Sequence, residues 1–287
     1  MPLIDAFPAA KDGFASAPDE MDRLAETFAA IALQAGPAIL AIYENGPRVQ
    51  WKADRSPVCD ADEAAEAIIL AALAKTCPEI PVIAEEAASR GEIPSLRADF
   101  ILVDPLDGTR EFLSRNGEFT VNIALIRDGA PLCGVVYAPA LDLVWIGGTS
   151  ARMAEAKPGA SLPSAWRAIR TRTAPRDGLT ALVSRSHCDP ATEAWLVERK
   201  VTTRRDAGSA LKFCLLAEGE ADVYPRFGPT MEWDTAAGHA VLQAAGGTVI
   251  EADGKPLCYG KADEQFRNHS FIAWGDRRMV GLAARTV

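Results

Sequence analysis

The run Asp104-Pro105-Leu106-Asp107-Gly108-Thr109 follows directly on the apolar stretch Phe100-Ile101-Leu102-Val103 and concentrates two carboxylates at one strand end. Acids at this spacing can share a hard cation. Magnesium takes oxygen ligands in near-octahedral geometry and keeps several waters, and the Leu106 carbonyl is a natural further donor. Gly108 and Thr109 open a short helical segment, Arg110 to Leu113, whose free N–H groups and small glycine suit a phosphate. The same residue types dominate ordinary turns, so the run by itself reads first as a turn.

Two more acids change that balance. Glu85 follows the apolar run Pro81 to Ala84, and Asp234 stands at the start of a helix in the second half of the chain. Glu85, Asp104, Asp107 and Asp234 thus all sit at the ends of apolar elements, where sites are commonly built. No histidine or cysteine shares their pattern, which favours hard cations over zinc.

Periodicity gives the elements that must position these acids. Apolar residues recur at threes and fours from Asp19 to Tyr43, predicting an amphipathic helix with Gly36-Pro37 as a kink. Val49 to Lys52 alternates like a strand. Asp60 to Thr76 reads as a helix with Asp60, Asp62 and Glu63 in its first turn. Thr120–Ile126 and Leu132–Tyr137 read as a hairpin around Arg127-Asp128-Gly129-Ala130, followed by a strand at Leu143–Ile146. Residues 149–178 are weakly periodic, so the boundary between an α+β half (19–150) and an α/β half (151–287) falls near their start. Residues 1–18 read as a tail. Beyond 178, strands are expected at Leu179–Ser184, Val201–Arg204, Ala221–Tyr224, Thr248–Ile250 and Ser270–Ala273. Helices are expected at Pro190–Arg199, Ser209–Glu218, Thr235–Ala245 and Asp276–Ala284.

Composition bounds the function. A net charge of −9 argues against a general nucleic-acid binder, and it would repel a phosphorylated substrate unless bound cations dominated the local field. No stretch of about 18 apolar residues is free of charges or breakers, so no membrane span is expected. The opening residues lack a secretory pattern. Six scattered cysteines without a C-x-x-C pair read as reduced core thiols in a cytoplasmic protein.

Ala84-Glu85-Glu86, the Asp104–Thr109 run and Trp233-Asp234-Thr235-Ala236-Ala237-Gly238 resemble the three signature segments of the inositol monophosphatase superfamily. Within it, the chain is most similar to the bisphosphate nucleotidases of the CysQ type. That likeness rests on Arg110-Glu111-Phe112, Asn116 to Ala124, Gly208 to Cys214 and Tyr224 to Pro229. The resemblance covers roughly residues 20 to 275 and implies a layered α/β/α/β/α sandwich of the sugar-phosphatase type. It implies two or three magnesium ions, one held by Glu85, Asp104 and the Leu106 carbonyl, another by Asp104, Asp107 and Asp234. Thr109 would orient or deprotonate the attacking water, hydrogen-bonded to Asp62. Leu106, Asp107, Gly108, Thr109, Ser209, Lys212, Arg226 and Asp234 would contact a small phosphorylated substrate, and lithium would inhibit. Cys59 stands where the family usually has threonine. Lys52 has weaker support as a phosphate contact.

Three rivals remain open on the sequence. A haloacid-dehalogenase-like phosphatase needs one residue between its acids, not the two found here. An inositol-phosphate or other sugar-phosphate phosphatase stays within the superfamily. A non-catalytic phosphate sensor is disfavoured because every expected acid is present.

Overall fold

A computed structural model describes residues 18–51, 57–185, 189–199 and 201–280. Lys52, His187, Cys188 and the end of the expected C-terminal helix lie outside the described residues.

Helix α1 (Pro18–Asn45) runs continuously through Pro37. It is long and apolar enough to cross a membrane. It instead lays Phe28, Ala32, Leu33 and Ile39 against the first sheet and α2 (Asp60–Thr76), where all four are fully buried. At Gly36 a side chain would come within 3.0 Å of the Tyr137 ring, so the close approach of helix and sheet requires glycine here. Before α2, strands β1 (Val49–Trp51) and β2 (Pro57–Cys59) pair antiparallel.

Seven strands form the first sheet, in chain order: β3 (Val82–Ala84), β4 (Asp99–Asp107), β5 (Thr120–Arg127), β6 (Ala130–Ala138), β7 (Leu143–Gly147), β8 (Ala151–Glu155) and β9 (Arg167–Ala168). Only the β3–β4 pair is parallel. The short helices α3 (Glu85–Ser89) and α4 (Thr109–Leu113) leave the ends of β3 and β4. Strands β8 and β9 arise inside the weakly periodic stretch, so the first sheet continues to Ala168. Their small residues alternate poorly because both Ala154 and Met153 are covered.

The second sheet has the order β11-β10-β12-β14-β13, built from β10 (Thr180–Ser184), β11 (Thr203–Ala207), β12 (Val223–Arg226), β13 (Thr248–Glu251) and β14 (Phe271–Trp274). Strand β11 begins later than expected. It is an edge strand whose Thr203, Arg204, Arg205 and Asp206 are all exposed, so no apolar alternation marks it. Helix α6 (Leu211–Ala217) and helix α7 (Glu232–Ala244) fill the space between the sheets. Helix α5 (Pro190–Glu198) covers the outer face, with Trp195 and Leu196 against Val223 and Trp274. The expected helix from Asp276 opens on a 3₁₀ turn at Arg277–Met279, capped by Asp276, and Val280 is already helical where the described residues end.

The layers are therefore α1/α2, first sheet, α6/α7, second sheet, α5. This is the α/β/α/β/α sandwich, and the middle layer carries chain from both sheets to one cleft.

Candidate active site

Strand β4 does not stop at Asp104. Asp104 pairs with Asn122 and Asp107 with Thr120, so Pro105 and Leu106 together oppose Val121 alone. Such a bulge inserts one residue, bends the strand and re-aims its side chains. Proline, with no N–H to lose from the ladder, suits that place. Asp104 Oδ1 accepts the Leu106 N–H at 3.0 Å, which closes the bulge. Gly108 then turns at φ 92°, and a side chain there would lie 3.2 Å from the Glu118 carbonyl oxygen.

Opposite this bulge, Asp234 lies in the first turn of α7, its Oδ2 accepting the Met231 N–H at 2.9 Å. Glu85 opens α3, and the next residue's N–H donates to Glu66 Oε2 at 2.8 Å. Glu66 lies four residues after Asp62 on the buried face of α2, so one helix face serves two points of the site.

A cleft of about 210 Å³ is lined by Glu85, Asp107, Gly108, Thr109, Ser209, Lys212, Arg226 and Asp234 among others. These eight were expected from the sequence; Arg110, Glu111, Ser184, Phe213, Tyr224, Thr230 and Thr235, which complete the lining, were given no site role. Asp104, Leu106 and Asp62 do not reach its wall; all three are buried just behind it. Burial pushes the Asp104 carboxyl well above the usual range, and the charges of Glu85, Asp107 and Asp234 push it further. Asp234 is raised for the same reasons, burial first and then Asp107 and Glu85. Burial also raises Asp107, opposed by the Ser209 hydrogen bond and the Lys212 charge.

Ser209 Oγ donates to Asp107 Oδ2 at 2.7 Å, from a residue in the left-handed region (φ 52°) just before α6 rather than within it. Asn122 Nδ2 donates to the same oxygen at 3.3 Å. Asn122 received no role from the sequence. Its signal was an amide set among the apolar residues Val121, Ile123, Ala124, Leu125 and Ile126 of one strand. Lys212 Nζ donates to the carbonyls of Ser209 (2.6 Å) and Ala207 (3.1 Å), and burial pulls its pKa down to about 8. Arg226 Nη2 donates to the Pro229 carbonyl at 2.9 Å. Both cations therefore brace backbone as well as facing the acids.

Thr109 Oγ1 donates to Asp62 Oδ1 at 3.4 Å. The other oxygen of Asp62 accepts the Cys59 N–H (2.8 Å) and thiol (3.0 Å). Cys59 thus supplies the donor that a threonine hydroxyl would supply, and burial with the Asp62 charge holds its thiol up at about 12. His239, by contrast, is a core residue bonded to Tyr259 at 3.0 Å.

Several like charges crowd one cleft, and each is costly to ionise unless a cation sits among them. The donor set is all oxygen, which fits a hard divalent ion. Among the described residues, no three His, Cys, Asp or Glu side chains are already gathered as a ready coordination shell.

A model of the inositol monophosphatase family matches residues 20–276. The chain is 45% identical over 248 residues to the 3′(2′),5′-bisphosphate nucleotidase CysQ of Escherichia coli strain K12, covering 84% of this chain and 95% of that protein. It is 41% identical over 246 residues to the protein of the same name from Buchnera aphidicola, covering 85% and 90%. Among solved structures, CysQ from Bacteroides thetaiotaomicron superposes with a TM-score of 0.74 at 40% identity, covering 89% of this chain and 98% of that one. An inositol monophosphatase from Anabaena shares the fold with a TM-score of 0.70 at 23% identity, covering 93% and 95%. Family match, sandwich and converging acids agree: the chain belongs to the inositol monophosphatase family.

Proposed function

We propose that this chain is a metal-dependent 3′(2′),5′-bisphosphate nucleotidase that hydrolyses the 3′-phosphate of adenosine 3′,5′-bisphosphate to AMP and phosphate, and accepts its 5′-phosphosulfate analogue. The observation that carries the reading is the 45% identity to a CysQ nucleotidase across 95% of that protein; it is supported by Glu85, Asp107 and Asp234 on one cleft, with Asp104 buried behind it. A cytoplasmic location belongs to the same reading, supported by buried free thiols at Cys59, Cys77, Cys133 and Cys214.

Glu85, Asp104 and the Leu106 carbonyl would hold one magnesium ion, and Asp104, Asp107 and Asp234 another. Bound there, the ions would neutralise phosphate oxygens, acidify a water and stabilise the departing alkoxide. Phosphoryl transfer needs little covalent help beyond positioning and charge neutralisation. The chain's own part is orientation. Thr109 spends its proton on Asp62, so its oxygen lone pairs are left to accept from the attacking water. As the water oxygen bonds to phosphorus and the ester P–O bond breaks, one of the water's protons can pass through Thr109 to Asp62, while the leaving 3′-oxygen takes up a proton from solvent water to give the free hydroxyl of AMP. Lys212 and Arg226 offer cationic contacts for the second phosphate, Arg226 through its planar fork.

Phosphate release by the purified protein with magnesium tests the proposal. The expected result is a higher kcat/KM for adenosine 3′,5′-bisphosphate than for inositol 1-phosphate. The reverse order would make it a sugar-phosphate phosphatase, and no turnover on either would revive a sensor role.

A further inference from the structure

We propose that Glu232, with Asn268, is a positioning residue for the Asp234 carboxylate, acting through the 260–268 segment; this rests on the reading of Asp234 as a metal ligand. Glu232 is wholly buried, and it is not among the residues of the cleft wall. Its carboxylate is spent on one segment. Oε2 accepts the Gly260 N–H at 2.6 Å, and Oε1 accepts the Lys261 N–H and the Lys261 ammonium, each at 2.9 Å.

That segment returns the hold. The Phe266 carbonyl accepts the Glu232 N–H at 2.8 Å, and the Asn268 N–H donates to the Thr230 carbonyl at 3.0 Å. The Asn268 amide donates to the Met231 carbonyl (2.7 Å) and to Thr235 Oγ1 (3.0 Å). Met231 is the residue whose N–H binds Asp234, and Thr235 follows Asp234 directly. Asp234 is thereby bracketed by residues that Glu232 and Asn268 fix from outside the cleft.

Backbone strain in the segment supports the same role. Gln265 and Phe266 both take left-handed φ, 57° and 58°, although neither is glycine. Such conformations persist where surroundings over-determine them, and they cluster around functional sites. Here Phe266 is fixed by burial against Trp233, the neighbour of Asp234, with ring centroids 6.1 Å apart.

Residues that orient metal ligands typically change metal affinity about 10–100-fold when replaced. Calorimetric titration with Mn²⁺ alone, without substrate, is therefore the test, on wild type, Glu232→Gln and Asn268→Ser. The glutamine keeps the shape but turns an NH₂ toward donors. The expected result is binding weakened about tenfold or more in each variant. Kinetics should show activity lost at low magnesium and recovered at saturating magnesium, with KM for the nucleotide unchanged. A lower Tm with an unchanged Mn²⁺ dissociation constant in both variants would show a merely structural role and overturn the inference. If Glu232→Gln fails to fold, Asn268→Ser alone decides by the same criterion. A wild type that takes up no divalent ion overturns the metal reading and the inference with it.

Discussion

Asp222 and Asp104 are both buried acids, one just before β12 and one at the bulge of β4, and they are built in opposite ways. Asp222, at the entry to β12, accepts two hydrogen bonds from the Arg172 guanidinium at 2.9 Å each and the Thr180 N–H at 2.7 Å. Its charge is answered inside the fold. Asp104 accepts one backbone N–H, and the charges that act on it come from three other acids. Folding alone would not favour that arrangement, since crowded like charges in a low-dielectric site raise one another's pKa and cost stability. On the reading proposed above, a buried acid whose partners are more acids marks a place for a cation. A buried acid closed by arginine marks a place kept for the fold.

The largest effect should follow from removing one acid of the crowded set. Asp107→Asn keeps the size of the side chain and leaves Ser209 and Asn122 able to donate to its remaining oxygen. Phosphate release should nearly vanish while circular dichroism stays that of the wild type. Full activity of chelator-treated Asp107→Asn protein would dissolve the distinction between the two kinds of acid.

The crowding also sets a pH dependence, summed over Asp104, Asp107 and Asp234. Each has a folded pKa raised above its unfolded value, so the folded state holds extra protons between the two. Stability linked to these groups is present below the ordinary carboxylate range, about pH 4, and is lost as pH rises through their raised values. In chelator, the Tm of Asp104→Asn should therefore rise relative to wild type as pH increases from about 4 to 7. Magnesium should remove that advantage. A Tm difference that is flat or shrinks with pH would contradict the mutual repulsion.

A smaller effect, on stability alone, is expected at the closed pair. Asp222→Asn should cost about 1.5–3 kcal/mol, the worth of hydrogen bonds to a charged group, with kcat/KM unchanged in what remains folded. Arg172 is 39% exposed, so water can solvate it once its partner is gone, and the loss stays below that of a fully buried pair. Activity lost in step with stability would show the two regions to be coupled.

Much of this contrast was legible in the sequence because the acids lie at the ends of apolar runs, and α2 matches its expected bounds of Asp60 to Thr76. Less visible was whatever depends on pairing between distant strands. Pro105 reads as a turn, and only its partner strand reveals a bulge. Strand β11 hides because an exposed edge needs no alternation. The hold of residues 260–268 on α7 runs largely through backbone N–H and carbonyl groups, which every residue carries. Asp222 gave no signal at all, since its arginine lies fifty residues away.

The smallest effect should come at Arg226, where the two kinds of construction meet. Its guanidinium lines the cleft beside Lys212 and Asp234, yet one nitrogen is already committed to the Pro229 carbonyl. Part of its fork therefore holds the 226–229 turn, as Arg172 holds Asp222. On the reading proposed above, the same guanidinium also contacts the second phosphate of the substrate. Replacing it with alanine should cost near the low end for a charge-assisted contact, about 1.5 kcal/mol, or roughly tenfold in KM. That loss should appear with adenosine 3′,5′-bisphosphate and not with a nucleoside monophosphate, while kcat at saturating substrate stays close to wild type. Equal rises in KM for both substrates would place Arg226 with Arg172, as a brace, and leave Lys212 as the cation facing the second phosphate.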